Sequence, residues 1–171
     1  MANLQRKRLL LVKGSFEPFG GGERDLINNL EAWSKYFDLS VATLHPNKEL
    51  IEKLNDLKIP LFSPVSNWTY SRGIFSEIFA SSSRNASKKW YSMLSLTNQG
   101  VGLSTLFSNI DAVNITTGMA SLEILPLIPS NIPIHTYMHE PNRGLHSNDL
   151  HFDVDGTPKQ NLKLTNFLLS K

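Results

Sequence analysis

The stretch Gly14-Ser15-Phe16-Glu17-Pro18-Phe19-Gly20-Gly21-Gly22-Glu23-Arg24 lies between an apolar run and a helical pattern. The apolar run, Leu9-Leu10-Leu11-Val12, is typical of a buried strand, and the helical pattern starts near Glu23. A strand, a glycine-rich turn and a helix, in that order, place backbone amides at a helix start, where α/β proteins bind anions. Three successive glycines also remove every Cβ, so a ligand can approach the main chain. The stretch predicts a ligand site; the alternative is a flexible surface turn.

The bulk composition narrows the class of protein. A chain of 171 residues with 40% hydrophobic and 19% charged residues fits one globular domain. A net charge of +2 provides no field that would attract nucleic acid, so no nucleic-acid partner is expected. The absence of cysteine excludes disulfides and thiolate metal sites and is compatible with a reducing cytosol. Basic residues 6–8 precede only four apolar residues, too few for a signal peptide, so we expect a cytoplasmic protein.

The order of the remaining patterns predicts the fold class. After residues 9–12, strands are expected at residues 39–44, 59–62, 111–116 and 132–138. Between them, helical spacing predicts a first helix that uses the apolar positions Leu26, Ile27, Leu30, Trp33 and Phe37, a second that uses Leu50, Ile51, Leu54 and Leu57, and further helices at residues 73–96 (with a break at 81–83), 100–108 and 120–125. This alternation predicts an α/β, Rossmann-like open sheet, mainly parallel, with helices on both faces.

A second polar stretch, Tyr137-Met138-His139-Glu140-Pro141-Asn142-Arg143, falls at the carboxyl end of the fifth predicted strand. Ligands approach open α/β sheets at the carboxyl ends of the strands. The His139 imidazole can hydrogen-bond hydroxyl groups, and the Arg143 guanidinium offers a planar fork for a phosphate. The alternative is that His139 caps the sheet while Arg143 pairs with Glu140 at the surface.

Other nucleotide and metal motifs fit the sequence poorly. No lysine follows the glycines, as a P-loop would require, and residues 42–44 hold no acid for a dinucleotide ribose. His135 and His139 would share a face of a strand but lie about 13 Å apart, too far for one ion. We therefore expect neither a bound metal nor a nicotinamide or flavin cofactor.

Basic and aromatic residues are interleaved in the third predicted helix and just before it. The set consists of Arg72, Phe75, Phe79, Arg84, Lys88, Lys89, Trp90 and Tyr91. Such a face can lie peripherally on an anionic membrane surface. The alternative is a solvated basic face above a packed apolar one.

The glycine stretch resembles the Gly-Gly-x-Glu-Arg turn that opens many family-4 glycosyltransferases of the GT-B fold. The second stretch is similar to the His-x-Pro-x-Arg turn found later in the same N-terminal domain. The resemblance implies retaining transfer of a sugar from a nucleotide-sugar donor to a glycan or lipid-linked acceptor, without a metal. It implies a catalytic role for His139, which would hold a sugar hydroxyl, and substrate contacts from Gly20, Gly21, Gly22, Glu23, Arg24, Glu140 and Arg143.

The resemblance also predicts the domain organisation. An apolar pattern at residues 162–169 stops at Lys171, whereas in the family such a helix leads to a second, nucleotide-sugar-binding domain. Residues 1–171 are therefore expected to be the acceptor-side domain of a truncated enzyme, inactive alone. Arg24 would contact phosphate or pair with Glu17. The competing interpretation is a non-catalytic α/β binding module for a small anion or a protein partner, and a sugar-phosphate epimerase is a more distant one.

Overall fold

Five parallel strands form the sheet that organises the chain. The computed structural model describes residues 6–69 and 81–138, which lie in the first of two compact units, Met1–His139. The strands are β1 (Lys7–Val12), β2 (Phe37–Ala42), β3 (Leu61–Phe62), β4 (Ala112–Thr116) and β5 (Ile134–Tyr137). Their order across the sheet is β3-β2-β1-β4-β5, and every neighbouring pair is parallel. The predicted open parallel α/β sheet is thus confirmed.

Helical segments connect the strands and cover both faces of the sheet. They are α1 (Gly21–Ser34), α2 (Lys48–Leu57), α3 (Ser81–Met93), α4 (Leu103–Phe107) and a 3₁₀ helix (Leu122–Leu127). The start of α2 shows how the sequence fixes such an element: the Asn47 side chain accepts a hydrogen bond of 2.9 Å from the amide of Leu50. A side-chain oxygen at this position satisfies one of the amides that a helix start leaves without a partner.

Side-chain alternation along the strands divides the core into two layers. Leu10 and Val12 of β1 face one layer, which includes Trp90 and Met93 of α3, and Leu11 faces the other. The second layer contains the buried side chains of α1 and α2, namely Leu26, Ile27, Leu30, Leu50 and Leu54. Because both faces of the sheet are covered at its centre, the central strand β1 contains a continuous apolar run at residues 9–12, as buried parallel strands do.

Two predicted boundaries were wrong. Phe37, assigned to the apolar face of the first helix, is the first residue of β2, because α1 ends at Ser34 and a short turn follows. The helix expected at residues 120–125 is a 3₁₀ helix at Leu122–Leu127, so Pro126 lies inside this element rather than after it. This 3₁₀ helix makes only about two turns, so a residue without an amide hydrogen removes at most one hydrogen bond from a short element.

Some predicted elements are shorter than expected or lie outside the described residues. Helix α4 covers Leu103–Phe107 rather than residues 100–108, because Gly102 packs against the backbone of Leu94 and serves as the N-cap. Serines 81–83, where a break was expected, form the first turn of α3. The remaining predicted segments, residues 73–80, 139–143 and 162–169, are outside the described part of the chain.

The strand order determines where a ligand can bind. From β1 the chain passes to β2 and β3 on one side, and it then crosses to β4 and β5 on the other side of β1. Loops that leave neighbouring strands in opposite directions open a crevice at the carboxyl edge, the usual binding position in such sheets. In this sheet the strand order changes direction between the segment after β1 and the segment after β4.

Candidate functional site

The segment after β1, residues 13–21, is called here the β1 turn, and its first half is packed. Residues 13–16 are buried, with the Phe16 side chain completely inaccessible. A Cβ built on Gly14 would lie 2.2 Å from the backbone of both Met119 and Ala120. Gly14 is therefore required by packing, because the strand end and the opposite loop touch through their main chains.

The segment after β4, residues 117–121, is called here the β4 loop, and two buried hydrogen bonds hold it in place. Buried Ser121 accepts a hydrogen bond of 2.9 Å from the Gly14 amide. The indole Nε1 of Trp90 donates to the carbonyl oxygen of Ala120 at 2.7 Å. Ala120 has a positive φ of 61°, a conformation that side chains other than glycine rarely adopt and that these contacts maintain. These hydrogen bonds hold the β4 loop against the end of β1 and against α3.

Buried Lys13 links the start of α1 to the β4 loop. The side chain of Lys13 is only 3% exposed, and its Nζ lies 2.9 Å from Oε1 of Glu23. The same Nζ donates to the carbonyl oxygen of Thr117 at 3.4 Å. A Cβ on Gly118 would come within 2.7 Å of Nζ, so the absence of a side chain there leaves room for the ammonium. Lys13 thus contacts both α1 and the β4 loop.

Glu23 binds the start of its own helix as well as Lys13. Its Oε2 accepts a hydrogen bond of 3.0 Å from the Gly20 amide, the reciprocal half of a capping box in which the glycine has no side chain to return the bond. Partial burial raises the pKa of Glu23. The hydrogen bond and charge of Lys13, with the amides of Glu23 and Gly20, outweigh this effect and hold the pKa below its ordinary value of 4.5.

The second half of the β1 turn, residues 17–21, is open. Glu17, Gly20 and Gly21 are exposed, and a Cβ built on Gly21 would meet no atom within 4 Å. Gly21 also begins a regular helix and does not have a positive φ. Among the described residues, neither packing nor backbone conformation requires glycine at this position. A ligand that approaches the main chain would explain it.

Arg24 is exposed beside this open half. Its guanidinium carbon lies 5.4 Å from the centroid of the Phe19 ring, within the range of a cation–π contact. The expected alternative, a pair with Glu17, is not among the ion pairs of residues 6–69 and 81–138. Arg24 therefore lies at the rim of the turn.

The second predicted stretch begins at the same edge of the sheet. His139, Glu140 and Arg143 lie outside the described residues, so their positions stay a prediction. The strand that precedes these residues, β5, is described. At its carboxyl end, the carbonyl oxygen of Tyr137 accepts a 2.9 Å hydrogen bond from the Thr117 amide of the β4 loop. The carboxyl ends of β1, β4 and β5 thus lie side by side.

The structure separates the apolar and basic residues of α3. Ala86, Trp90 and Met93 point into the core, while Arg84 and Lys88 are exposed. The apolar face of this helix is therefore occupied by packing. Lys89 donates hydrogen bonds to the carbonyl and hydroxyl oxygens of Ser66, at 2.8 and 2.6 Å. Within the described part of α3, Arg84 and Lys88 thus lie on a solvated face opposite a packed apolar one, and peripheral membrane contact stays a prediction.

Residues 6–69 and 81–138 contain neither a cluster of metal ligands nor a helix that could span a membrane. No group of three or more histidine, aspartate or glutamate side chains could hold a metal ion. His135 instead has Nδ1 at 2.9 Å from the side-chain nitrogen of Asn114. No helix in this part of the chain has the length and apolar character needed to cross a bilayer.

The sequence reasoning missed Lys13 and Ser121. A signal for Lys13 existed, because a lysine immediately after four buried apolar residues and before a glycine turn is well placed to be buried and paired. No comparable signal existed for Ser121. Its partner Gly14 is 107 residues away, and no motif in the sequence around Ser121 indicates a buried hydrogen bond.

The known proteins compared with this chain do not identify a family for it. No family model matches the chain, and no curated protein matches it. One solved structure that it resembles is the C-terminal domain of a hydrogenase from Pyrococcus furiosus, with 10% identity and a TM-score of 0.45. The alignment covers 80% of this chain and 95% of that one. A similarity at this level has no bearing on the activity of this chain.

Proposed function

We propose that this chain is the N-terminal, acceptor-side domain of a retaining glycosyltransferase that uses a nucleotide-sugar donor. The observation that carries the proposal is the position of Gly21. This glycine opens α1 at the topological switch point, where ligands bind in such sheets, and has open space in place of a Cβ. The sequence around it, Gly-Gly-Glu-Arg at residues 21–24, is the one that resembles the family turn.

The proposed chemistry assigns each group a role that its character permits. The exposed amide of Gly21 donates a hydrogen bond to an oxygen of the substrate at a helix start, where partial positive charge favours it. Arg24, at the rim, contacts the substrate electrostatically. His139 holds a hydroxyl group of the transferred sugar or the acceptor, with Glu140 and Arg143 beside it. In enzymes of the resembled family, the second domain supplies the nucleotide site.

The hydrogen bonds that join the β1 turn and the β4 loop support a role in positioning a substrate. Orienting reactants requires contacts that move little, and the Gly14–Ser121 and Trp90–Ala120 hydrogen bonds fix the two loops against each other. A non-catalytic binding module would bind its ligand at the same two loops without transferring a sugar. The two proposals therefore differ in turnover rather than in the location of the site.

The test is sugar transfer by the product of the complete reading frame. Nucleotide sugars carrying a labelled sugar would be incubated with the protein and with glycan or membrane-lipid extracts, and both nucleotide release and labelled product would be measured. The anomeric configuration of the product, read by NMR, should match that of the donor. Binding of a nucleotide sugar without turnover under any of these conditions would favour the binding module.

Two variants with matched controls test the site assignment. Gly21→Val should lower transfer at least tenfold with little loss of stability, whereas Ala32→Val, on the exposed face of the same helix, should leave the rate unchanged. His139→Ala should also lower the rate, and the exposed histidine of β5 provides the control variant His135→Ala. Wild-type rates from both Gly21→Val and His139→Ala would contradict the assignment of these residues.

A further inference from the structure

We infer that Lys13 is a positioning residue, whose buried ammonium group fixes the start of α1 relative to the carboxyl ends of β4 and β5. These segments carry Gly21 and precede His139 in the sequence, so the role of Lys13 in sugar transfer rests on the proposed function. The link between the segments consists of described residues, and it is testable without a substrate.

A continuous series of polar contacts runs from α1 to β5 through this ammonium group. At one end, the Gly20 amide donates to Oε2 of Glu23 at 3.0 Å, and Oε1 of the same carboxylate lies 2.9 Å from Nζ of Lys13. Nζ in turn donates to the carbonyl oxygen of Thr117 at 3.4 Å. At the other end, the amide and the hydroxyl group of Thr117 donate to the carbonyl oxygen of Tyr137, at 2.9 and 3.3 Å. Each segment therefore meets the next through a hydrogen bond or an ion pair.

Burial makes the contacts of the ammonium group costly to lose. The Lys13 side chain is only 3% exposed, so little water competes with its protein partners. Those partners, the Glu23 carboxylate and the Thr117 carbonyl oxygen, belong to different segments of the chain. If either segment moved away, a buried charged donor would lose an acceptor. The same group consequently resists movement of α1 and of the β4 loop.

The β4 loop has space for the ammonium group because residue 118 is a glycine. A Cβ built on Gly118 would lie 2.7 Å from Nζ of Lys13. The loop is also bonded to the end of β1 and to α3, through the hydrogen bonds of Ser121 and Ala120. Lys13 adds the start of α1 to the elements that hold this loop in place.

This arrangement separates Lys13 from the residues that would contact a substrate. Its ammonium group is enclosed, so Lys13 acts through Glu23 and Thr117 rather than directly. Transfer requires reacting groups that are aligned closely, and a small displacement of one loop lowers the rate of the chemical step. The removal of Lys13 should therefore lower kcat more than it changes KM.

The first experiment follows the backbone amides of the isotopically labelled full-length protein by NMR, without a substrate. Glu23→Gln keeps an oxygen for the Gly20 amide but removes the charge at one end of the series. It should shift the amide resonances of Thr117 and Gly118, which flank the carbonyl group that Lys13 contacts. In a Lys13→Met background, the same change at residue 23 should leave these two resonances where they are.

The control is Glu31→Gln, which removes an equal charge from the same helix, where Glu31 forms an exposed pair with Lys53. It should leave the resonances of the β4 loop unchanged. If the shifts caused by Glu23→Gln stay within α1 and the β1 turn, the inference is wrong, and this result requires no folded Lys13 variant. Equal shifts in the β4 loop with and without Lys13 would also overturn it, because the effect would then pass through other contacts.

The second experiment measures sugar transfer by the product of the complete reading frame. At a temperature where circular dichroism shows the variant to be folded, Lys13→Met should lower kcat about tenfold or more, with a smaller change in KM. Lys53→Met, which breaks the exposed pair on α1, should keep the wild-type kcat. A folded Lys13→Met with the wild-type kcat would contradict the positioning role. A wild type without transfer would instead refute the proposed function, and the NMR comparison would still decide whether Lys13 links the segments.

Discussion

Gly14 and Gly21 are the same kind of residue in one turn, yet they are glycines for different reasons. At Gly14 a Cβ would lie 2.2 Å from the backbone of the β4 loop, whereas at Gly21 it would meet nothing within 4 Å. The packed half of the turn, residues 13–16, is thus determined by the fold. The open half, residues 17–21, has no such constraint within the described residues. The comparison shows that one glycine-rich stretch can contain a glycine that packing requires and another that it does not.

The variant Gly14→Ala tests the packed half and should have the largest effect. The added methyl group would collide with main-chain atoms, which cannot move aside as a flexible side chain can. We expect a loss of about 3 kcal/mol or more in the free energy of unfolding, measured by urea denaturation. A loss below about 1 kcal/mol would show that the two loops are not in firm contact.

Lys13→Met tests the pair that joins the packed half to α1. Removing a buried cation leaves the Glu23 carboxylate without its partner, and because Glu23 is 17% exposed, solvent reduces the penalty. We expect a loss of about 2 kcal/mol in unfolding free energy, most of which the double variant Lys13→Met/Glu23→Gln should restore. Lys53→Met, which breaks the more exposed pair with Glu31, should cost at most about 0.5 kcal/mol.

Ser121→Ala removes the hydrogen-bond acceptor of the buried Gly14 amide. A buried amide without a partner costs about 1–2 kcal/mol, which should appear as lowered unfolding free energy. Ser108→Ala is the matched control, because that hydroxyl bonds to the Ser104 carbonyl oxygen in an exposed position. Equal stability of the two variants would mean that Ser121 does not hold the loops together.

Acidification tests the Glu23 carboxylate without a mutation. Because its pKa in the folded protein lies below the ordinary value of 4.5, the stabilisation from its ionised form is complete above that value. It is lost as the pH falls through the lowered pKa. Urea denaturation across this acid range should show a shallower dependence of stability on pH for Glu23→Gln. Identical slopes for the variant and the wild type would contradict the pairing.

Gly21→Ala tests the open half and should have the smallest effect on stability. The methyl group enters open space, and alanine has the higher helix propensity, so the unfolding free energy should stay constant or rise by up to about 1 kcal/mol. Thermal and urea denaturation would measure this change. A loss comparable to that of Gly14→Ala would remove the distinction between the two glycines.

Local patterns were sufficient for much of the fold. Leu9, Leu10, Leu11 and Val12 lie in a buried strand, and Asn47 caps α2, because these signals act over a few residues. Phe37 was misassigned because its spacing continued the helical pattern by chance, whereas α1 ends three residues earlier. Boundaries of this kind depend on how the chain turns back to the sheet, which periodicity does not record.

The position of the glycine turn was predictable from the sequence, but only some of its contacts were. The sequence placed a glycine turn after β1, and the strand order shows that this turn borders the switch point. The engagement of the Gly20 amide by Glu23 could have been anticipated from a capping-box spacing of three residues. The burial of Lys13 also had a signal in the sequence, but its contact with Thr117 did not, because those residues are 104 positions apart.

The sequence by itself determined the alternation of strands and helices, since apolar periodicity and turn residues act over short distances along the chain. Only the tertiary structure decided which glycine is indispensable and which charge is already neutralised. These properties arise where β1, α1 and the β4 loop come within a few ångströms of one another. Proximity of that kind depends on the strand order, which brings β4 beside β1 from the far side of the sheet.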